Sequence, residues 1–263
     1  MSSTRKPTIN YIIATHAAIS KRRELTDAQS RYVLRYNLQI LDSFLTSDTA
    51  ITQITIICPD VPDESGEYYT KNGVYIDNLR SKGIAVEIFN VANEGISYTQ
   101  YAKCFKKYKE FDYYIVMEDD WVINSTYPNF DTILLDLYKN TFKENIGFLD
   151  CWSPTFPRHD LPFHSAITVG ILSNETVKCF LDLDNTALIT LSQLEFSRIL
   201  TSTGISIIDH HRAGFPTRIL FWHTEAGTIR DHTKESRYSQ ASPMREPIFV
   251  PVQYYYNKNI LKH

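Results

Sequence analysis

The sequence predicts an α/β protein with a mixed, mostly parallel sheet and helices on both faces. Two observations predict it. Short β-branched, apolar runs alternate with longer segments whose apolar residues recur every three or four positions, the rhythm of strands joined by crossover helices. At 263 residues and 43% apolar content, the chain suffices for one large core and is short for two full domains.

Each element has its own signal. Residues 8–14, TINYIIA, read as a buried first strand. Segment 27–45 carries Val33, Leu34, Leu38, Leu41 and Leu45 at helical spacing. Residues 51–58 form a second strand, closed by Pro59 and the turn-rich DVPDESG. A helix over 74–82 stops at Gly83, a C-terminal cap signal. Strand 84–89 follows, then a helix over 97–108 that Ser97 or Thr99 can cap. Residues 113–117 make a fourth strand. Beyond it the pattern predicts a helix at 130–142, strands at 146–151 and 165–172, helices at 174–182 and 190–202, and a strand at 205–209. From His210 onward the chain reads as irregular and histidine-rich, with a weakly periodic tail at 233–263.

Composition narrows the function. The net charge of −3 argues against a binder of phosphate backbones, and the short basic clusters at Lys21-Arg22-Arg23 and Lys103/Lys106-Lys107 read as solvated. Seventeen Tyr, 14 Phe and 3 Trp suit contact with sugars or bases. The four cysteines are widely spaced with no CxxC, so zinc ribbons and redox motifs are unsupported and a reduced, cytoplasmic setting is expected. No segment approaches the ~18 apolar residues of a membrane span, and the N-terminus lacks a signal-peptide core.

The fourth strand runs into an acidic knot, YYIVMEDDW at 113–121. Three adjacent carboxylates repel one another and raise each other's pKa. A bound cation offsets that cost. In a strand, alternate residues share a face, so Glu118 and Asp120 would point one way and Asp119 the other. Oxygen ligands at a strand end suit Mg²⁺ or Mn²⁺ and leave positions for water and phosphate. In open α/β sheets, ligands bind beyond the carboxyl ends of the strands, which is where this knot stands.

Three stretches, IIATHA in the first strand, NEGIS before a helix and YYIVMEDDW, together resemble a GT-A-fold (Rossmann-like), family-2-like glycosyltransferase. The resemblance covers the first ~175 residues, with Glu118-Asp119-Asp120 at that fold's D-x-D motif. It implies transfer of a sugar, with inversion, from a nucleotide-sugar to a glycan or other hydroxyl acceptor, with Mn²⁺ or Mg²⁺. A UDP-sugar is favoured as donor and a GDP-sugar is the second choice. Asp120 would bind the metal, Glu118 would face the ribose or assist the metal, and Asp119 would touch the donor sugar or brace the loop. Thr15 and His16 would receive the base and ribose, and Gly95 and Ser97 would lie over the donor nucleotide. Trp152 and Gly170 would stand on the acceptor side. An inverting enzyme needs a base, and Glu195 in LSQLEFSRIL is the first choice, with Asp160 behind it. His223 and His232 are the metal-ligand candidates among the C-terminal histidines. The implied organisation is one domain over 1–263: a nucleotide-sugar half at 1–125, an acceptor half at 126–232 and an extension at 233–263.

Rival readings are a sugar nucleotidyltransferase, a non-catalytic carbohydrate-binding or structural protein, and a metal-dependent phosphoesterase. The first would need a glycine-rich, Arg-containing loop after the first strand, and IIATHAAISKRR has no glycine.

Overall fold

The computed structural model describes residues 5–15, 27–46, 48–59, 64–92, 94, 97–118, 121–123, 127, 129–151, 169–209 and 221–223. For 27–33, 36, 64–71, 122, 209 and 221–223 it describes the backbone alone.

The first half is a run of strand–helix units: β1 (Ile9–Ala14), α1 (Asp27–Phe44), β2 (Ile51–Pro59), α2 (Glu64–Ser81), β3 (Ala85–Val91), α3 (Ser97–Lys107) and β4 (Tyr113–Glu118). Next come β5 (Trp121–Ile123), α4 (Phe130–Thr141), β6 (Phe148–Asp150), β7 (Val169–Ser173), α5 (Asn174–Leu181), α6 (Asn185–Ile189), α7 (Gln193–Ser202), β8 (Ile207–Asp209) and β9 (Phe221–His223). Seven strands form one sheet in the order β3-β2-β1-β4-β7-β6-β8. Only β7 runs against the others, pairing antiparallel with both β4 and β6. The sheet is the expected Rossmann-like, mostly parallel one.

Both faces are covered, and strand alternation decides which residue goes where. Tyr11, Ile13, Ile56, Ile115, Met117 and Ile171 pack under α1, α2 and α4. Ile12, Ala14, Ile57, Tyr114, Val116 and Leu172 pack under α3, α5, α6 and α7.

Three expectations need correction. The second helix starts at Glu64, ten residues before the expected 74. The missed part, 64–73, contains Gly66 and Gly73, both poor helix formers, and follows a turn-rich stretch, so local preference gave no helix signal there. The helix expected over 190–202 is α7, and a short helix that was not expected, α6, precedes it, capped by Asp184. The chain after His210 also contains a strand: β9 pairs antiparallel with β5 as a separate two-stranded ribbon.

Candidate functional site

The carboxyl ends of β1, β2, β4, β6 and β8 share one edge of the sheet, and the described site residues collect along it. Glu118 is the last residue of β4, half-buried beside Ala14 of β1. Its side chain lies on the α3 face, two positions after Val116. Ser97, the first residue of α3, donates its hydroxyl to Glu118 Oε1 at 2.5 Å. Ser97, expected to lie over the nucleotide, and the first carboxylate of the knot are therefore in direct contact.

Thr15 follows β1 and is buried. Its N–H and its hydroxyl both donate to Ile57 O, at 3.1 and 2.7 Å, which pins the turn after β1 to β2. Because the hydroxyl proton is committed there, Thr15 would meet a ligand as an acceptor or through its carbonyl.

The ribbon of β5 and β9 sets Trp121 opposite His223. His223 was separated from the knot by about a hundred residues of sequence, and the register places its backbone one residue past Asp120. The pairing was not expected, because three-residue strands carry too little pattern to read.

Gly170 lies in β7 between Val116 of β4 and Asp150 of β6. A Cβ there would meet Leu149 O at 2.5 Å and Phe148 Cζ at 2.5 Å. The close approach that this glycine serves is the protein's own backbone and ring.

Glu195 lies in the first turn of α7, which runs back from the carboxyl edge towards β8. Its N–H donates to Ser192 Oγ, and its carboxylate pairs with Arg198 on the same helix. Ser192-x-x-Glu195 matches the spacing of a helix capping box. A local helical role is thus visible for Glu195, and its side chain is half-buried.

His16, Gly95, Asp119, Asp120, Trp152, Asp160 and His232 lie outside the described residues, as does the side chain of His223. Among the described residues, no three His, Cys, Asp or Glu side chains gather as a metal cluster.

Two features escaped sequence reading. Asp150 ends β6, fully buried, in register with Asp209 at the end of β8. It lies on the same face as Glu118, two strands across and one pleat back. With strands ~4.8 Å apart and ~6.7 Å per pleat, the two Cα atoms stand about 12 Å from each other. The signal was present: FLD repeats, more briefly, an apolar strand ending in a carboxylate. The other feature is Asn37 of α1, buried on the apolar stripe and bonded to the backbone of β5.

The four cysteines are free thiols, and Cys58, Cys104 and Cys151 are buried. Burial raises the Cys104 thiol and pushes Cys179 up to about 12, so neither is a ready nucleophile. No helix among the described residues is long and apolar enough to cross a membrane.

No protein-family model and no curated protein sequence matches the chain. Solved structures do. A Bacillus anthracis protein assigned as a glucose-1-phosphate thymidylyltransferase, in complex with a sucrose, matches with a TM-score of 0.53 at 12% identity, over 92% of this chain and 99% of that one. A mannosyltransferase from Pyrobaculum calidifontis, in complex with GDP-Man and Mn²⁺, gives 0.49 at 9% identity, over 78% of this chain and 55% of that one. The first likeness establishes the fold and leaves the reaction open; the second is too distant to carry an argument.

Proposed function

We propose that the protein is a metal-dependent glycosyltransferase of the GT-A type, moving a sugar from a nucleotide-sugar to a hydroxyl acceptor. The observation that carries the reading is the Ser97–Glu118 contact at the carboxyl edge. It joins the start of α3 to the acidic strand end, at the place where an α/β sheet binds its ligand.

The donor set suits a hard divalent ion such as Mn²⁺ or Mg²⁺. Asp120 is the assigned ligand, Glu118 assists, and His223, opposite Trp121, is preferred over His232. Such an ion, when bound, supplies neutralisation of the charge that builds on a departing nucleoside diphosphate. The chain's own residues do the rest. Thr15, His16, Gly95 and Ser97 receive the nucleotide, UDP by preference. Trp152 and Gly170 stay assigned to the acceptor side, Gly170 through the packing of β6 against β7. Glu195 is assigned as the base that takes the acceptor proton, a role that requires release from Arg198.

The test is calorimetry of UDP and GDP binding with Mn²⁺ and with EDTA, followed by incubation with a panel of nucleotide-sugars. Metal-dependent diphosphate binding and release of nucleoside diphosphate are expected, and Asp120→Asn should abolish both while keeping the fold. Equal affinity in EDTA would sink the metal reading. Pyrophosphate release from a nucleoside triphosphate and a sugar phosphate would instead make the chain a sugar nucleotidyltransferase.

A further inference from the structure

Asn37 occupies a position where packing alone would place an apolar residue. Leu34, Leu38 and Leu41 flank it on the buried stripe of α1, and Asn37 itself has no exposed surface. Its amide reaches β5. Nδ2 donates to Trp121 O at 2.8 Å, and Oδ1 accepts from Ile123 N at 3.0 Å. Only one orientation of the amide satisfies both, because a carbonyl can only accept and a peptide N–H can only donate. The side chain therefore offers β5 what a neighbouring strand would: one donor and one acceptor along an edge. β9 pairs with the same strand. A ribbon of two three-residue strands is too short to hold its own position, so the amide anchors it to a helix whose inner face is packed on the core.

The consequence lies one step along the chain. β4 ends at Glu118 and β5 begins at Trp121. Ser97 of α3 holds Glu118 from one face of the sheet, and Asn37 of α1 holds Trp121 from the other. Glu118 and Trp121, the described residues on either side of Asp119 and Asp120, are each held by a hydrogen bond, and β5 is the strand against which β9 sets His223.

We propose that Asn37 is a positioning residue for divalent-cation binding: its amide sets where the chain leaves Glu118 and where His223 meets it. The inference rests on the metal reading given above. Groups that orient metal ligands from behind typically change affinity by ~10–100-fold when removed.

The experiment titrates Mn²⁺ into the full chain, following free Mn²⁺ by electron paramagnetic resonance. It compares wild type, Asn37→Ser, Asn37→Asp and a control, Tyr138→Phe, with circular dichroism and thermal unfolding of each metal-free protein. The control removes a buried hydroxyl that bonds Gly147 O and the N–H of Ser173, which pairs with Tyr113 at the end of β4 opposite from Glu118. At a temperature well below every unfolding transition, both Asn37 variants should bind Mn²⁺ about 10-fold more weakly or worse, and Tyr138→Phe should bind within about twofold of wild type. Asn37 variants that fold and keep wild-type Mn²⁺ affinity would overturn the inference and leave the metal reading standing. Failure of both variants to fold would assign Asn37 to the fold alone and overturn it as well. A wild type that binds no Mn²⁺ would overturn the metal reading itself, and this inference with it.

Discussion

Gly170→Ala is the substitution whose cost the structure sets most directly. Gly170 does not have a positive φ, so alanine meets no backbone penalty there, and the effect is one of space. The new methyl would stand 2.5 Å from Leu149 O and 2.5 Å from Phe148 Cζ. The ring can move; the carbonyl belongs to β6, and Gly170 is itself laddered to β4 on one side and β6 on the other. Relief therefore needs a shift of β6 relative to β7. Overpacking of a well-filled site costs up to about 3 kcal/mol. Alanine restricts the unfolded chain and returns ~0.4–1 kcal/mol, for a net loss of about 2 kcal/mol. At roughly 2–4 °C per kcal/mol for a chain of this size, the melting temperature should fall by about 4–8 °C. Thermal unfolding followed by circular dichroism measures it. A melting temperature within about 1 °C of wild type would refute the packing argument. Loss of sugar transfer at unchanged stability would show that the space above Gly170 belongs to a ligand.

Three further outcomes are expected. Ser97→Ala removes a donor from a carboxylate and should cost about 1 kcal/mol of stability while weakening Mn²⁺-dependent UDP binding, and calorimetry that finds equal affinity would detach Ser97 from the site. Glu195→Gln breaks a surface pair worth no more than ~1 kcal/mol, so stability and donor affinity should hold while the transfer rate falls ~10²–10⁴-fold; a near-normal rate would leave Glu195 as a helix-start residue only. Burial pushes Cys179 up to about 12 and raises Tyr114 and Tyr138, so the native state keeps protons that the unfolded chain releases from about pH 9 upward. Stability should be level below pH 9 and fall from there towards pH 12 at ~1.4 kcal/mol per pH unit for each group, which urea unfolding at pH 8, 9 and 10 would measure; a flat profile contradicts it.

What the sequence determined by itself was the alternation of strands and helices and the place of the acidic knot at a strand end. Both are local: a buried strand needs a continuous apolar run, a helix needs its stripe, and the two periods differ. β1, α1, β2, α3 and β4 stand close to where the pattern put them. Local signals failed where they were weak. The part of α2 before residue 74 carries two glycines and reads as a turn, and α6 is a five-residue helix whose cap, Asp184, shows as one only when its partner N–H is seen. Pairings distant in sequence were decided by tertiary structure alone. Nothing near His223 announces that it will stand opposite Trp121, and nothing near Asn37 announces the backbone it will bond, since a hydrogen-bond partner eighty or a hundred residues away leaves no period in the chain. Gly170 shows the same division. Its residue type marks a close approach, and only the folded sheet reveals that the approaching atoms are Leu149 O and the ring of Phe148.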